Sequence, residues 1–312
     1  MQWDAAPGIT GGTYGNLQLI GLNNPGQVAF LADINGGSSP RAVYLYDGEN
    51  VSLVAKSNDP APGGSDNFNL PPGIGNYILN LHGNVAFFSN VNGETPGIWI
   101  GGVSAPPEKV VRQNDPTGIA GYGNYYAPPV IRGFNDSGLV LFDSPTSGGP
   151  GYALFLKDLE PAVTQVVFQR NQAGGPGGQP FFATMQAVLN NEGKVAFLAR
   201  SQSFIPGWYL GSGAGSPPQA IAVQGAPTPI GGSFGFAGRN VPAVLNGSGQ
   251  VLFIGRGNRQ RVGQALPAAD CDKFRPLSFR RHDGGRPCES RRFHFPLDFW
   301  CESAFVGVFR YC

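Results

Sequence analysis

The side chains of this chain that could move protons are few, and the best placed are in loops. Asp59 and Asp115 recur in Asn58-Asp59-Pro60 and Asn114-Asp115-Pro116. Two such carboxylates are what hydrolysis of a glycosidic bond requires, one as acid and the other as base or nucleophile. Recurrence beside proline reads more naturally as loop shaping, because Asn, Asp and Pro each favour turns. Calcium could use the same oxygens, yet no Asp-x-Asp-x-Asp-Gly loop occurs. Residues 1–257 contain no cysteine and one histidine, His82. A thiol–histidine pair is therefore excluded there, and a serine–histidine relay would rest on His82 alone, which reads as an exposed turn residue. Gly174-Gly175-Pro176-Gly177-Gly178 lacks the following Lys-Ser/Thr of a phosphate loop and reads as a turn. Tyr125-Tyr126 and Trp208-Tyr209 could stack on sugar rings, but as strand residues they read as core. Of the sequons at Asn50, Asn135 and Asn246, the last two belong to turns described below. No catalytic, cofactor-binding or metal-binding residue is assigned.

Composition says what must position these groups. Of 312 residues, 48 are Gly and 28 are Pro, a level that can mark low complexity, but aromatics reach 12% and disordered chains lack them. An ordered, turn-rich β protein fits both facts. Net charge is +1, which argues against binding nucleic acid by neutralising phosphates. No apolar run is long enough to span a bilayer, and Met1-Gln2-Trp3-Asp4 lacks the basic flank and apolar stretch of a signal peptide.

A repeat runs through the chain. Its mark is an Asn turn followed by a short apolar strand, at 23–30, 80–87, 135–142, 190–197 and 246–253, with a period of 55 to 57 residues. Asn at the start of a type I turn bonds its own backbone two residues on, and Gly at the fourth position accepts positive φ. An apolar run precedes each turn, as in Tyr77-Ile78-Leu79, and Val-x-Phe follows it. Two more strands fall in each unit, such as Ile98-Trp99-Ile100 and Lys109-Val110-Val111-Arg112, and the unit then enters a Pro/Gly loop. Four short strands per unit predict an all-β, propeller-like array of about five four-stranded blades over residues 1–257. The chain enters this pattern in mid-repeat. Either its first strand completes the last blade and closes a ring, or, the preferred reading, the true beginning is missing.

The repeated Asn-x-x-Gly-x-x-Ala-Phe, seen as Ala29-Phe30, Ala86-Phe87 and Ala196-Phe197 and altered to Leu141-Phe142 and Leu252-Phe253, resembles that of the choice-of-anchor tandem repeat family of bacterial surface proteins. The resemblance covers roughly residues 1–257. It implies secretion and attachment at the cell surface, and it brings no catalytic residues. The expected function is a non-catalytic extracellular or cell-surface scaffold binding polysaccharide or a surface or matrix protein, with no nucleic acid and no membrane insertion. The alternative is a carbohydrate-active enzyme of propeller form using loop carboxylates. Comparable loop lengths favour the scaffold, since an enzyme needs one blade that departs from the rest.

Residues 258–312 break the pattern. They hold ten of the 21 basic residues, all four cysteines and only four of the 48 glycines. One reading is a small basic module with Cys271, Cys288, Cys301 and Cys312 in one of three disulfide pairings. A zinc site is weaker, for want of Cys-x-x-Cys or His-x-x-x-His spacing. The favoured reading is a slipped reading frame, because the codons of His282-Asp283-Gly284-Gly285 read one nucleotide later permit Thr-Thr-Gly-Gly, a repeat-like loop. In either case the tail is expected to pack poorly.

Overall fold

A computed structural model describes residues 4–91, 94–159, 163–211, 217–228, 232–235, 243–258 and 304–309. Its regular elements are strands and two short 3-10 turns. Blade 1 consists of β1 (Thr13–Leu22), β2 (Val28–Asn35), β3 (Arg41–Tyr46) and β4 (Val51–Lys56). Blade 2 consists of β5 (Phe68–Asn69), β6 (Tyr77–Leu79), β7 (Val85–Val91), β8 (Glu94–Gly101) and β9 (Glu108–Arg112). Blade 3 has β10 (Val130–Phe134), β11 (Val140–Ser144), β12 (Ala153–Lys157) and β13 (Thr164–Gln169). Blade 4 has β14 (Phe181–Leu189), β15 (Val195–Ser201), β16 (Pro206–Gly211) and β17 (Gln219–Val223). Blade 5 has β18 (Ser233–Gly235), β19 (Ala243–Leu245), β20 (Val251–Asn258) and β21 (Ala304–Phe309).

All the sheets are antiparallel, and those of blades 1, 3 and 4 are meanders in chain order. The opening strands lie side by side from blade to blade, β1 by β6, β6 by β10, β10 by β14 and β14 by β19, which gives the propeller-like array. In blades 2 and 5 the opening strand is split, β5 and β6 both pairing with β7, and β18 and β19 both pairing with β20. Pro71-Pro72 account for the break in blade 2, since proline brings no N–H to the ladder. Among the described residues β1 pairs with β2 inside blade 1 and with no strand of blade 5. Within the expected poorly packed tail, β21 runs antiparallel to β20 in the place of a third strand, opposing Gly307 to Phe253. The tail's cysteines, its zinc reading and the proposed frame slip lie outside the described residues.

Period-two alternation decides which neighbour each side chain meets. On β2, Ala29 and Leu31 join Phe87 and Trp99 of blade 2, while Phe30 and Ala32 join Tyr14, Ala6 and Ile9 on the other face. The second and third strands are thus buried on both faces, which is why they read as unbroken apolar runs. Three aromatic rings recur in each of blades 1 to 4. Phe30 stacks on Tyr44 at 5.5 Å, Phe87 on Trp99 at 6.4 Å, Phe142 on Phe155 at 5.4 Å and Phe197 on Tyr209 at 5.8 Å. Tyr14, Phe68, Tyr125 and Phe181 then meet the third ring edge-on at 4.9 to 5.2 Å. Each such pair adds about 0.5–1.5 kcal/mol beyond the area it buries.

The repeat asparagine does more than close its turn. Its Oδ1 accepts the backbone N–H four residues on, from Gln27, Asn84, Leu139, Lys194 and Gln250, at 2.8 to 3.0 Å. Its Nδ2 crosses to the next blade. Asn23 donates to the carbonyl of Asn80, Asn80 to Asn135, Asn135 to Asn190 and Asn190 to Asn246, at 2.9 to 3.3 Å. Asn80, Asn135 and Asn190 are buried. One polar residue per period therefore links all five sheets.

Candidate functional site

Each of the two loop carboxylates is paired with a lysine. Asp59 lies 3.6 Å from Lys56 Nζ, and Asp115 lies 3.1 Å from Lys109 Nζ while also accepting the N–H of Arg112. A cleft of about 420 Å3 beside Asp59 is walled by Pro60, Pro62, Pro106 and Pro107, and Asp115 does not line it. The preceding asparagines explain the recurrence. Asn58 and Asn114 adopt φ of 71° and 70°, a left-handed conformation that Asn tolerates. In that conformation their N–H groups hold the carbonyls of Phe68 and Tyr125 at 2.8 and 2.7 Å. The loop seats the first aromatic ring of the next blade, which is the loop-shaping role expected.

His82 is exposed in its turn, donating its N–H to Asn80 Oδ1. Gly175 to Gln179 form a closed turn around a 3-10 segment. Tyr125, Trp208 and Tyr209 are core, whereas Tyr126 is exposed. Asn135 is buried with its amide given to Asn190, while Asn50 and Asn246 are exposed. Among the described residues no group of three or more His, Cys, Asp or Glu is placed to hold a metal ion.

Blade 3 departs from the repeat. Its β11 carries Asp143 where the aligned positions are Leu31, Phe88, Leu198 and Ile254. Asp143 is 4% exposed. It accepts two parallel bonds from Arg132, at 2.8 and 3.1 Å, and a third from the Tyr152 hydroxyl. Tyr152 also shares a 2.7 Å hydrogen bond with Thr184 of blade 4. Burial, and then the charge of Asp143, push the Tyr152 phenol well above its ordinary range. Burial opposes the charge on Arg132, but the bond to Asp143 and its field outweigh that and raise the guanidinium pKa. With its oxygens occupied, Asp143 is a structural anchor rather than a free base.

Above this group lies an aromatic and cationic surface. Arg170, at the end of β13, donates Nε–H to the carbonyl of Phe182 at 3.1 Å. Its guanidinium sits 5.2 Å from the Phe182 ring and 6.0 Å from the Tyr152 ring. Phe182 lies 5.5 Å from Phe204, and Arg200 sits 5.7 Å from the Phe204 ring. Phe204 is 61% exposed and has φ of 61°, in a β15–β16 turn where glycine would be at ease. A non-glycine residue there costs about 1 kcal/mol or more, so the ring is held outward at the expense of stability. Exposed rings offer flat faces for stacking, and guanidinium groups match carboxylate, sulfate or phosphate. A second cleft of about 270 Å3, between blades 3 and 4, is lined by Asp158 and Glu192, and Glu192 lies 3.3 Å from Lys194.

Sequence reasoning passed over Phe182, Phe204, Arg170, Arg200 and Asp143. The legible signal was Asp143, a carboxylate in a column of aliphatic and aromatic residues. The platform itself has no sequence mark, because its members come from three different segments.

No curated protein matches the chain. Among solved structures it is similar to the crystal structure of TolB from Acinetobacter baumannii, at 14% identity over 70% of this chain and with a TM-score of 0.27. The chain spans 58% of that structure's length. Residues 2–97 and 91–266 each match the model of a family described as being of unknown function, DUF7453.

Proposed function

The chain belongs to this family of unknown function, DUF7453, and from its own geometry we propose that it is a non-catalytic β-repeat scaffold that binds an acidic polysaccharide at the cell exterior. The exterior setting rests on the repeat's resemblance to surface proteins. The observation that carries the binding reading is Phe204, a ring kept in solvent by a strained turn, with Phe182 and two guanidinium groups around it. Stacking on the ring faces would select a sugar, and Arg170 and Arg200 would select one with acidic groups. Tyr152, which donates to Asp143 of the neighbouring ion pair, shares a hydrogen bond with Thr184 and so ties blade 3 to blade 4 beneath the platform.

A glycan array carrying neutral and acidic polysaccharides tests this. Binding to acidic members that is lost in Phe204→Ala and weakened by salt is the expected result. An array with no acidic ligand, or binding that Phe204→Ala leaves intact, overturns it. The carbohydrate-active alternative has one observation of its own, the cleft shared by Asp158 and Glu192. A panel of chromogenic glycosides addresses it, and turnover abolished by Glu192→Gln would replace the scaffold reading with an enzymatic one.

A further inference from the structure

Tyr126 is the blade 3 counterpart of Phe182. Each follows the first ring of its blade's aromatic trio, Tyr125 or Phe181, and both of those rings are buried. Alternation along an extended segment turns the next side chain away from the core, and Tyr126 is 67% exposed and Phe182 37% exposed. The support beneath the two is shared as well. Gln113, just after β9, donates Nε2–H to the carbonyl of Tyr126 at 3.1 Å. Arg170 holds the same place after β13 and donates to the carbonyl of Phe182 at 3.1 Å. The Tyr126 N–H is fixed in turn by the Pro145 carbonyl at 2.8 Å. Blades 1, 2 and 5 carry Gly15, Asn69 and Gly235 at this position, so the repeat itself does not call for a ring there. Two adjacent blades have one.

We propose that the acidic polysaccharide site spans blades 3 and 4, with Tyr126 as a second stacking subsite, so that the ligand is a chain of several sugars rather than a single terminal one. The inference rests on the binding reading of the Phe182 and Phe204 platform. The opening strands β10 and β14 lie side by side. Packed sheets are about 10 Å apart, a step longer than one sugar ring but short enough for one chain to cover both aromatic positions. Gln113, a neutral amide, stands where the next repeat has Arg170. The acidic group is therefore read over blade 4, where two guanidinium groups lie near the rings. The Tyr126 subsite takes the flat face of a neighbouring sugar. Two contacts on one ligand act as linked binding events, so affinity climbs once the chain reaches both.

Isothermal titration calorimetry of the full chain is the test, with oligouronates and sulfated oligosaccharides graded from one sugar to about ten. The parent chain is expected to bind long members of the acidic series at least about tenfold more tightly than short ones. Tyr126→Ala should bring the long chains down to the affinity of the short ones and leave the short ones unchanged. Tyr126→Phe keeps the ring and should keep the gain. Phe204→Ala should lose binding at every length. Because Tyr126 is exposed, both of its variants should retain the circular dichroism and urea midpoint of the parent. Affinity that does not depend on length, a gain with length that survives Tyr126→Ala, or a loss that falls equally on short chains overturns the second subsite and leaves the platform reading standing. A parent chain that binds neither series at any length overturns the platform reading, and the second subsite falls with it.

Discussion

Replacing Asn135 by alanine tests how much the ladder holds. The substitution removes two hydrogen bonds, Oδ1 to the Leu139 N–H at 2.8 Å and Nδ2 to the Asn190 carbonyl at 3.0 Å. Each contributes about 1 kcal/mol net. The Asn190 carbonyl keeps the Gly193 N–H at 3.2 Å and so is not orphaned. The Leu139 N–H has no such substitute, and an unpaired donor costs a further 1–3 kcal/mol, roughly, where water cannot reach. The total is about 3–5 kcal/mol. Asn246→Ala makes a matched control. It removes the same turn bond, to the Gln250 N–H at 2.8 Å, but it lies in solvent and spans no interface, so it should cost about 0.5–1 kcal/mol. Urea unfolding followed by fluorescence reads both, since Trp99 in blade 2 and Trp208 in blade 4 are fully buried on either side of blade 3. A weakened interface between blades also lowers cooperativity, so the slope of the Asn135→Ala transition should fall. Equal losses for the two variants would refute the inter-blade role and leave the asparagine as a turn residue only.

Other substitutions separate further contributions. Asp143→Ala should destabilise by about 2–4 kcal/mol, because Arg132 is left with a partly buried and unpaired charge. Asp143→Leu combined with Arg132→Leu should recover most of that loss in the same urea assay. Tyr209→Phe should be neutral or stabilising by up to about 1 kcal/mol, since its hydroxyl is buried with no partner among the described residues. Tyr44→Phe should cost about 1 kcal/mol, because that hydroxyl donates to the Pro7 carbonyl at 3.1 Å. Burial pushes the phenols of Tyr14 and Tyr209 up to about 12 from an ordinary value of 10.0. Between those values an unfolded chain has lost protons that the folded chain keeps, so stability is complete below pH 10 and declines as pH climbs towards 12. A phenolate absorbance titration alongside unfolding at each pH checks this. Phe204→Gly should raise stability by about 0.5–1 kcal/mol in thermal unfolding, through relief of its left-handed backbone, and abolish polysaccharide binding.

The fold was legible because its determinants are local and recur. Each Asn turn, each Val-x-Phe and each Gly-aromatic strand sits at the same phase of the period, and the strands fall where that phase puts them. Tyr77-Ile78-Leu79, for instance, is β6 in full. What sequence could not give is which face of a strand meets which neighbour. The asparagine reads equally well as a turn former alone, since its Oδ1 bond is local, while its Nδ2 bond spans 55 to 57 residues. Split opening strands were missed for a similar reason, because Pro71-Pro72 look like any Pro/Gly loop until the ladder on both sides is seen. The platform depends on Phe182, Phe204 and Arg170 meeting across two turns and a strand end, a coincidence of tertiary structure without a period.

Repetition also creates an ambiguity that the blade 3 departure resolves. When interfaces share the same asparagine bond, and blades 1 to 4 the same aromatic trio, blades of one chain resemble one another closely enough to pair out of order as it folds. A buried ionic group is costly as a source of stability, and fixing register is its best-attested use. Here Asp143 meets Arg132 and Tyr152 within blade 3, and Tyr152 crosses to Thr184 of blade 4. The aligned Leu31, Phe88, Leu198 and Ile254 can form no counterpart. A misplaced blade would leave the Tyr152 hydroxyl, bound to Asp143, without its Thr184 partner, whereas an aliphatic residue in place of Asp143 sets no such requirement. The same interface carries Arg170 over Tyr152 and Phe182. The correct docking of blade 3 on blade 4 and the assembly of the exposed platform are therefore one event.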